Sequence, residues 1–322
     1  MKILVVANNR HFDYKKLPIG MVALPHFFKV RGHEVKCLGR DDFLKVYSAY
    51  KEFGPDIVFS SWIPGGFVAA FLRKFRLIKC PVIHAWDDYY EEMMMNYPHI
   101  LIGFMEGFTI KNSDYITTPT GYNAIRAKKM GKKFFYVPQG YTGGSKKSKI
   151  NLKKIKTKKE NLILVYLGDQ EKFKRVDKIV RGVADQDCDL FLLGDINPEL
   201  QKIGGKNVHF LGRVDSEEVY SLLKQADILV NSADTDANFK FFDYMRAKKP
   251  ILAYDGRPRT LLERYRNTYF TKDFKEGVAK MINDKGLRER LEKNAKKVRV
   301  YSWEEVTDMY LDAFRKVLKK RD

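Results

Sequence analysis

Cysteine is scarce in this chain, and a long uncharged apolar segment is missing. The three cysteines, Cys37, Cys80 and Cys188, are far apart and have no histidine at metal-ligand spacing, which argues against a disulfide framework or a zinc site. Cys37 and Cys188 fall in apolar, strand-like runs, so we expect buried free thiols in a reducing compartment. The longest weakly charged apolar run, 59–72, contains proline and glycine and is too short to span a bilayer.

The beginning of the chain also lacks the pattern of a secretory signal. Residues 2–7 predict a short strand, and no cleavage region follows them, as a signal peptide would require. We therefore expect a cytoplasmic protein that is soluble or lies at the cytoplasmic membrane surface.

Acidic residues are outnumbered by basic ones. The chain has 60 Lys and Arg against 40 Asp and Glu, a formal net charge of +20 at pH 7, which favours a polyanionic partner. We see no helix-turn-helix, zinc spacing or RNA-binding signature, so we expect no nucleic-acid partner. Segment 71–79 interleaves cations with large apolar residues, as an interfacial amphipathic helix does. Two interpretations stay open: contact of a basic N-terminal domain with an anionic membrane, or a solvated helix face.

Strand and helix patterns alternate along the whole chain. Such alternation predicts parallel strands covered by helices, hence an α/β fold. The predicted helices include 20–31 and 216–225, and the predicted strands are 2–7, 32–38, 56–60, 81–85, 114–118, 133–137, 161–168, 208–212, 227–231 and 251–254.

A lysine-rich segment divides the chain into two similar halves. Residues 142–160 contain the pair Gly143-Gly144, many lysines and few apolar residues, which is typical of a linker. A new first strand follows directly. We therefore predict an N-terminal Rossmann-like domain over 1–145, a linker over 146–160 and a C-terminal Rossmann-like domain over 161–303. Ligands often bind between two such domains.

The stretch 207–255 carries the strongest functional signal. It reads as strand, helix, strand, polar loop, helix and strand. Lys240 and Asp243 lie three residues apart in the first turns of the second helix, which follows a buried strand. In an α/β sheet a ligand binds at that place.

An ordered set of motifs resembles family 4 of the retaining glycosyltransferases, the "group 1" enzymes of the GT-B fold. Any one motif is weak, but the resemblance covers nearly the whole chain. The motifs are Leu17-Pro-Ile-Gly20, Gly32-His-Glu-Val35, Tyr166-Leu-Gly168, Lys172-Phe-Lys-Arg-Val-Asp177, Val208-His-Phe-Leu-Gly212, Ala226-Asp-Ile-Leu-Val230, Lys240-Phe-Phe-Asp-Tyr-Met245, Lys249-Pro250-Ile-Leu and Tyr301-Ser-Trp-Glu304.

The resemblance implies an architecture and a reaction. The architecture is GT-B, in which two Rossmann-like domains face each other across a cleft and a last helix, here about 304–322, packs back on the first domain. The reaction is sugar transfer from a nucleotide-diphosphate sugar, a UDP- or GDP-sugar, to a glycan or lipid-linked acceptor, with retention of anomeric configuration. The nucleotide-sugar is a co-substrate, so the resemblance implies no cofactor, and we expect no metal.

The same resemblance assigns residues to the donor. Lys174 stands at the position of the family's phosphate-binding lysine, where a cation stabilises the negative charge on the leaving diphosphate. Asp243 matches the carboxylate that accepts hydrogen bonds from the ribose hydroxyls. Arg175 and Lys240 are further candidate cations. The remaining donor-binding candidates act through backbone groups or close approach of the backbone, and they are Gly20, Gly168, Val214, Asn238 and Phe239.

Two departures from the family affect these assignments. The partner carboxylate, expected eight residues before Asp243, is replaced by Thr235, and Asp236 is the candidate substitute. The arginine expected after Gly168 is replaced by Asp169, which would repel phosphate. Structural interpretations also stay open: Lys174 as a solvated lysine, Lys240 as a support of its loop, and Asp243 as a carboxylate favoured by the helix dipole.

The acceptor side offers two candidates after the strand 81–85. The family has a histidine there that contacts the donor sugar, and either His84 in a shifted register or Asp87 takes its place. Our candidate catalytic residues are therefore Lys174, Asp87 and His84. Two other functions remain as alternatives: a nucleotide-sugar 2-epimerase of the same fold, and a non-catalytic sugar-nucleotide-binding protein.

Overall fold

The computed structural model describes residues 1–8, 20–87, 98–142, 144–236 and 238–320, without the side chain of Met21. The chain divides into two compact units, Met1–Gly140 together with Tyr301–Asp322, and Tyr141–Val300. Each unit contains a six-stranded sheet in which neighbouring strands run parallel. The prediction of an α/β fold with two Rossmann-like units is confirmed.

The sheet of the first unit has the strand order β2-β1-β3-β4-β5-β6. The order reverses between β1 and β3, and in such sheets this is where ligands bind. The strands are β1 (Lys2–Val6), β2 (Glu34–Leu38), β3 (Ile57–Ser61), β4 (Val82–Ala85), β5 (Tyr115–Thr118) and β6 (Phe134–Tyr136). The helices are α1 (Gly20–Val30), α2 (Val46–Phe53), α3 (Ile63–Lys74), α4 (His99–Asn112), α5 (Gly121–Lys129) and, after the second unit, α14 (Trp303–Leu318).

The last helix is held on the first sheet by aromatic packing and ion pairs. Phe314 of α14 lies 5.6 Å from Phe28 and 5.2 Å from Phe59, measured between ring centroids. At the surface, Arg31 pairs with Glu304 at 3.0 Å and with Asp308 at 2.9 Å. These contacts place α14 in the first unit although it follows the second unit in sequence.

The sheet of the second unit has the strand order β12-β11-β10-β7-β8-β9. Its order reverses between β7 and β10. The strands are β7 (Leu162–Leu167), β8 (Cys188–Leu193), β9 (Val208–Gly212), β10 (Ile228–Asn231), β11 (Ile251–Tyr254) and β12 (Thr268–Thr271). The helices are α6 (Leu152–Ile155), α7 (Val176–Gly182), α8 (Pro198–Ile203), α9 (Ser216–Leu223), α10 (Lys240–Ala247), α11 (Pro258–Leu262), α12 (Phe274–Asn283) and α13 (Lys285–Lys297).

The segment predicted as a linker, 146–160, is an ordered part of the second unit. It contains the short helix α6, and Leu152 is fully buried in the core of that unit. Thr157 donates from its backbone N–H and its hydroxyl to the buried carboxylate of Asp189, at 2.9 and 3.2 Å. The composition of the segment suggests a flexible linker, but a few contacts hold its backbone on the sheet of the second unit.

The helix expected over 71–79 is shorter than the sequence pattern suggests. Helix α3 ends at Lys74, and Arg76 adopts a left-handed backbone conformation with a φ of 58°. The aromatic and basic residues of this segment therefore lie on the last turn of α3 and on the turn that follows. Among the described residues, we find no helix that is both long and apolar enough to cross a bilayer.

Candidate functional site

Three neighbouring strands of the second unit end in glycines with positive φ. The φ angles are 117° at Gly168, 141° at Gly194 and 71° at Gly212, which follow β7, follow β8 and end β9 respectively. A Cβ atom on Gly194 would lie 2.2 Å from the carbonyl oxygen of Gly168. The strand ends are therefore packed backbone against backbone at the edge of the sheet where a ligand binds in this kind of fold.

Lys240 lies beside this edge, at the reversal point between β7 and β10. Its side chain is buried, and its Nζ has no hydrogen-bond partner among the described residues. The Nζ lies 4.0 Å from the ring centroid of Tyr166 and 3.2 Å from the position that a Cβ on Gly168 would occupy. Burial, and then the charge of Lys174, lower the pKa of Lys240 well below its ordinary value, while Asp169 opposes them.

Lys174 lies on a short 3₁₀ turn, Lys172–Lys174, just before α7. Ser232, directly after β10, donates its hydroxyl to the Lys174 carbonyl at 2.7 Å. Arg175 follows with a φ of 53°, and its guanidinium lies 4.9 Å from the ring centroid of Tyr254. The predicted cations Lys174 and Lys240 thus lie at one reversal point with Gly168, while Arg175 packs on the end of β11.

Helix α10 is fixed to this edge by Tyr244. The Tyr244 hydroxyl accepts the backbone N–H of Leu167 at 2.9 Å and donates to the Val230 carbonyl at 3.0 Å. It therefore joins β7, β10 and α10 where the two strands diverge. This tyrosine belongs to the motif after Asp243, but its spacing alone does not predict the role. Lys240 begins the helix that this tyrosine holds.

Asp243 is engaged by a residue of its own unit. Its two carboxylate oxygens accept the backbone N–H of Thr142 at 2.7 Å and the Thr142 hydroxyl at 2.6 Å, and its side chain is buried. A ribose would have to displace Thr142 to reach both oxygens. Ribose binding by Asp243 therefore stays a prediction.

The carboxylates around Thr235 are also engaged. Asp236 is buried and accepts the Thr260 hydroxyl at 2.6 Å, and Asp234 accepts the backbone N–H of Arg257 at 2.8 Å. These contacts give both residues a structural role in holding the loop on α11. The hypothesis that Asp236 replaces the missing carboxylate at Thr235 gains no support from this placement.

The remaining donor candidates lie around the same loop. Asn238 is buried and donates its side-chain amide to the Thr235 carbonyl at 3.1 Å. Phe239 is half-buried and directly precedes α10. Val214 packs against the core just beyond the glycine that ends β9. Their predicted donor contacts stay predictions.

His84, a predicted catalytic residue, lies inside the first unit. It is on β4 with no exposed surface, and its Nδ1 lies 3.1 Å from the hydroxyl of Ser60. Burial lowers the pKa of His84 to about 3, which keeps the ring neutral at neutral pH. A Cβ on Gly66 would lie 2.6 Å from the ring, so α3 covers it closely. This position suits a core histidine rather than a group that contacts a sugar.

Asp87 and Gly20 lie at the carboxyl ends of strands in the first unit. Asp87 follows β4 and is half-buried. Burial, and then the charge of Asp87, raise the pKa of Tyr310 on α14, which places that carboxylate close to the last helix. Gly20 begins α1 with a φ of 50°. Segments 9–19 and 88–97, which include the predicted motif residues Leu17 to Ile19, lie outside the described residues.

Comparison with known proteins agrees with this architecture. Residues 147–298 match the family "Glycosyl transferases group 1". An uncharacterized glycosyltransferase of Methanocaldococcus jannaschii is 27% identical over an alignment of 190 residues, which covers 52% of this chain and 48% of that protein. The chain thus spans about half the length of this curated relative.

Solved structures share the fold over nearly the whole chain. Sucrose-phosphate synthase from Thermosynechococcus elongatus has a TM-score of 0.77 at 12% identity, covering 99% of both chains. Anabaena HepE, solved with UDP and glucose, has a TM-score of 0.70 at 13% identity, covering 98% of this chain and 100% of that one. A UDP-N-acetylglucosamine 2-epimerase has a lower TM-score of 0.55 at 14% identity, covering 96% and 93%. The likeness to these structures shows the GT-B fold.

Proposed function

We propose that this protein transfers a sugar from a nucleotide-diphosphate sugar to a glycan or lipid-linked acceptor, with retention of anomeric configuration. The observation that carries the proposal is the buried amine of Lys240 at the reversal point of the second sheet, with Lys174 nearby. The match to the group 1 family covers this unit. A solved relative of the same fold contains UDP and glucose, which makes UDP-sugars the first donors to test.

The physical argument begins with the cost of burying Lys240. Burial removes the hydration of this amine, and no hydrogen bond from a described residue replaces it, since its contact is with the ring of Tyr166. An anion at Gly168 would supply the missing partner and restore the protonated form, and Lys174 would add a second cation. During glycosyl transfer negative charge develops on the leaving diphosphate, so cations fixed at that place lower the barrier. A diphosphate would therefore pair with the buried amine in the bound donor, and the same amine would stabilise the charge that develops on the diphosphate as it leaves.

Binding of the donor can be tested with lysine variants. We would screen UDP- and GDP-sugars by thermal shift, and measure release of UDP or GDP by the wild type. Lys240→Met and Lys174→Met should each weaken the binding of any nucleotide-sugar that raises the melting temperature of the wild type. The loss of affinity should be at least about tenfold, as expected for a charge-assisted contact. Lys202→Met is the matched control, since Lys202 pairs with Glu199 on the surface of α8. Equal binding by Lys240→Met and the wild type would contradict the proposed donor site.

Retention is tested separately by the anomer that is released. When water takes the place of the acceptor and an α-linked donor is hydrolysed, proton NMR of the free sugar should show the α-anomer first, before mutarotation. Early appearance of the β-anomer would contradict retention and leave the donor site unaffected.

One observation favours a second candidate, a non-catalytic sugar-nucleotide-binding protein. Both carboxylates considered for donor binding, Asp243 and Asp236, accept hydrogen bonds from the chain itself, and Asp169 stands where the family has arginine. Under this candidate a nucleotide-sugar shifts the melting temperature through Lys174 and Lys240, but no UDP or GDP is released with any acceptor. The epimerase alternative needs acid and base groups at the site, and the only histidine considered for it, His84, is buried.

We extend the proposal to where the protein works. A net charge of +20 attracts the chain to anionic surfaces, and a lipid-linked acceptor would be met at a membrane. The first unit, which we expect to bind the acceptor, would make that contact.

A further inference from the structure

We propose that the neighbouring faces of α3 and α4 form a membrane-docking surface for an anionic bilayer. This docking surface consists of Phe71, Phe75 and Leu77 from the end of α3 and its following turn, and Ile100, Leu101 and Phe104 from α4. The inference rests on the membrane part of the proposed function. All six residues belong to the first unit, and vesicle binding can be measured without any sugar donor.

The docking surface is unusually apolar for exposed helix faces. Ile100 is 90% exposed, Phe104 60% and Phe75 56%, and Phe71, Leu77 and Leu101 are also exposed. Single exposed apolar residues are ordinary, but a contiguous group of this size marks an interaction site. Phe71 lies on α3 and Ile100, Leu101 and Phe104 lie on α4, two helices that pack side by side, and Phe75 and Leu77 follow the end of α3.

Aromatic contacts make the surface continuous. The ring centroids of Phe71 and Phe75 are 4.6 Å apart, and those of Phe104 and Phe108 are 6.1 Å apart. Phe67 joins the two helices, at 6.4 Å from Phe104 and 5.1 Å from Phe108. Spacing by four residues places Phe67 and Phe71 on one side of α3, and Ile100, Phe104 and Phe108 on one side of α4.

The charges around this surface select the partner. The sequence contains no acidic residue between Ile57 and Trp86. The single acid of α4, Glu106, is buried and bonds to Arg126 and Trp86. Four exposed cations flank the docking surface in sequence: Lys74, Arg76, Lys79 and Lys111.

Apolar rings beside cations match the acyl-chain region and the headgroup region of an anionic bilayer. The rings enter the boundary of the acyl chains, while the basic side chains remain at the level of the headgroups. Lys74 shows this arrangement, with its Nζ 5.8 Å from the ring centroid of Phe108. A second copy of the chain is a poorer partner, because a two-fold contact would bring the same basic residues against each other.

Vesicle flotation tests the docking surface. The probes are vesicles of phosphatidylcholine alone, and of phosphatidylcholine with phosphatidylglycerol. We expect binding to the anionic vesicles and much weaker binding to the neutral ones. Phe75→Gln/Ile100→Gln/Phe104→Gln should lower the vesicle-bound fraction at least about tenfold, and Lys74→Gln/Lys79→Gln by a similar factor at about 0.1 M salt.

Matched controls separate the docking surface from general effects. Leu44→Gln/Ile125→Gln/Met130→Gln removes three other exposed apolar residues of the first unit, and Lys128→Gln/Lys129→Gln removes two other exposed lysines. Both control variants should bind anionic vesicles like the wild type. Circular dichroism and melting temperature establish that every variant is folded.

Three results would overturn the proposal. They are no binding to anionic vesicles by the wild type, equal loss in the control and docking-surface variants, and a dimer, seen by light scattering, that only the docking-surface variants abolish. Donor-dependent thermal shifts should be unchanged in the docking-surface variants. Failure of this proposal is therefore distinguishable from failure of the proposed donor site.

Discussion

Thr142 donates from both its backbone N–H and its hydroxyl to the two oxygens of Asp243, at 2.7 and 2.6 Å. The two residues are 101 positions apart in sequence. The pair joins the first residues of the second unit to helix α10, which carries the buried amine of Lys240. The geometry resembles what a ribose diol would offer to a carboxylate, since two donors approach two oxygens.

Removing the Thr142 hydroxyl tests whether Asp243 can serve a ligand. Thr142→Val keeps the shape and the backbone donor but loses one hydrogen bond to a buried carboxylate, so it should lower the free energy of unfolding by about 2 kcal/mol. It should also strengthen binding of the responding nucleotide, because one oxygen of Asp243 becomes available. Denaturant titration and calorimetry measure the two effects. Thr142→Ser, which keeps the hydroxyl, is the control, and unchanged nucleotide affinity in Thr142→Val would identify Asp243 as a structural residue.

Replacing the buried amine of Lys240 should stabilise the protein in the absence of donor. Lys240→Met fills the same space without an unsatisfied donor, and we expect a gain of about 1–3 kcal/mol at neutral pH. Because burial lowers the pKa of Lys240 below its ordinary 10.5, the unfolded chain holds this proton more tightly. The wild type therefore gains stability as pH rises from the folded-state pKa towards 10.5, and the advantage of the variant should shrink. Unfolding curves across this range measure it, and a constant advantage would contradict the lowered pKa.

The contact between Gly194 and Gly168 should tolerate no side chain. In Gly194→Ala the new Cβ would lie 2.2 Å from the Gly168 carbonyl oxygen, and residue 194 would have to keep a φ of 141°. We therefore expect the free energy of unfolding to fall by at least about 3 kcal/mol. Gly32→Ala is the matched control, because Gly32 also has a positive φ but no heavy atom within 4 Å of its Cβ position. That variant should lose only about 1–2 kcal/mol. Equal losses would show that backbone conformation, rather than the close approach, sets the cost.

The buried carboxylate of Asp189 should hold the lysine-rich segment on the second unit. Asp189→Asn disrupts a group of hydrogen bonds from Thr157, Asn161 and His209, and we expect a loss of about 3 kcal/mol at neutral pH. Asp187→Asn, at an exposed ion pair with Lys158, should change stability by less than about 1 kcal/mol. Urea unfolding of both variants gives the comparison.

The pH dependence of the Asp189 effect has a defined direction. Burial raises the pKa of Asp189, but hydrogen bonds from His209, Thr157 and Asn161 outweigh it and hold the pKa below 3.8. Its contribution is therefore complete above the unfolded pKa and is lost as pH falls through the folded one. The difference between wild type and Asp189→Asn should narrow below about pH 4. An unchanged difference at lower pH would contradict the assignment.

Ten of the twelve strands that the structure describes could be predicted closely, whereas the strand Cys188–Leu193 was indicated only as an apolar run around Cys188 and one edge strand was missed. The predicted strand 161–168 is observed as Leu162–Leu167, because its apolar run is covered on both faces, as in parallel sheets. The edge strand Thr268–Thr271 was not predicted, since its residues are half-buried and of mixed polarity. The prediction of a linker over 146–160 was wrong for a related reason. The composition of this segment is that of a linker, while a few specific contacts decide its conformation.

The chemistry of the donor site could be predicted only in part. The sequence indicated Lys174 and Lys240, because their motif spacing resembles that of a known family. It did not indicate that Thr142 would engage Asp243, that Thr260 would engage Asp236, or that His84 would be covered by α3. Each of these contacts joins residues from different elements, so local spacing contains no signal for them.

The sequence by itself determined the fold class of this protein. Alternating apolar strands and helices specify two α/β units, and the ordered motifs of the second half resemble those of a glycosyltransferase family. Only the tertiary structure decided which charged groups remain for a ligand. A carboxylate or an amine is available when no neighbour satisfies it, and those neighbours are brought together by folding. For this reason Asp243 and Asp236 are engaged within the protein, while the amine of Lys240 lies buried without a hydrogen-bond partner among the described residues.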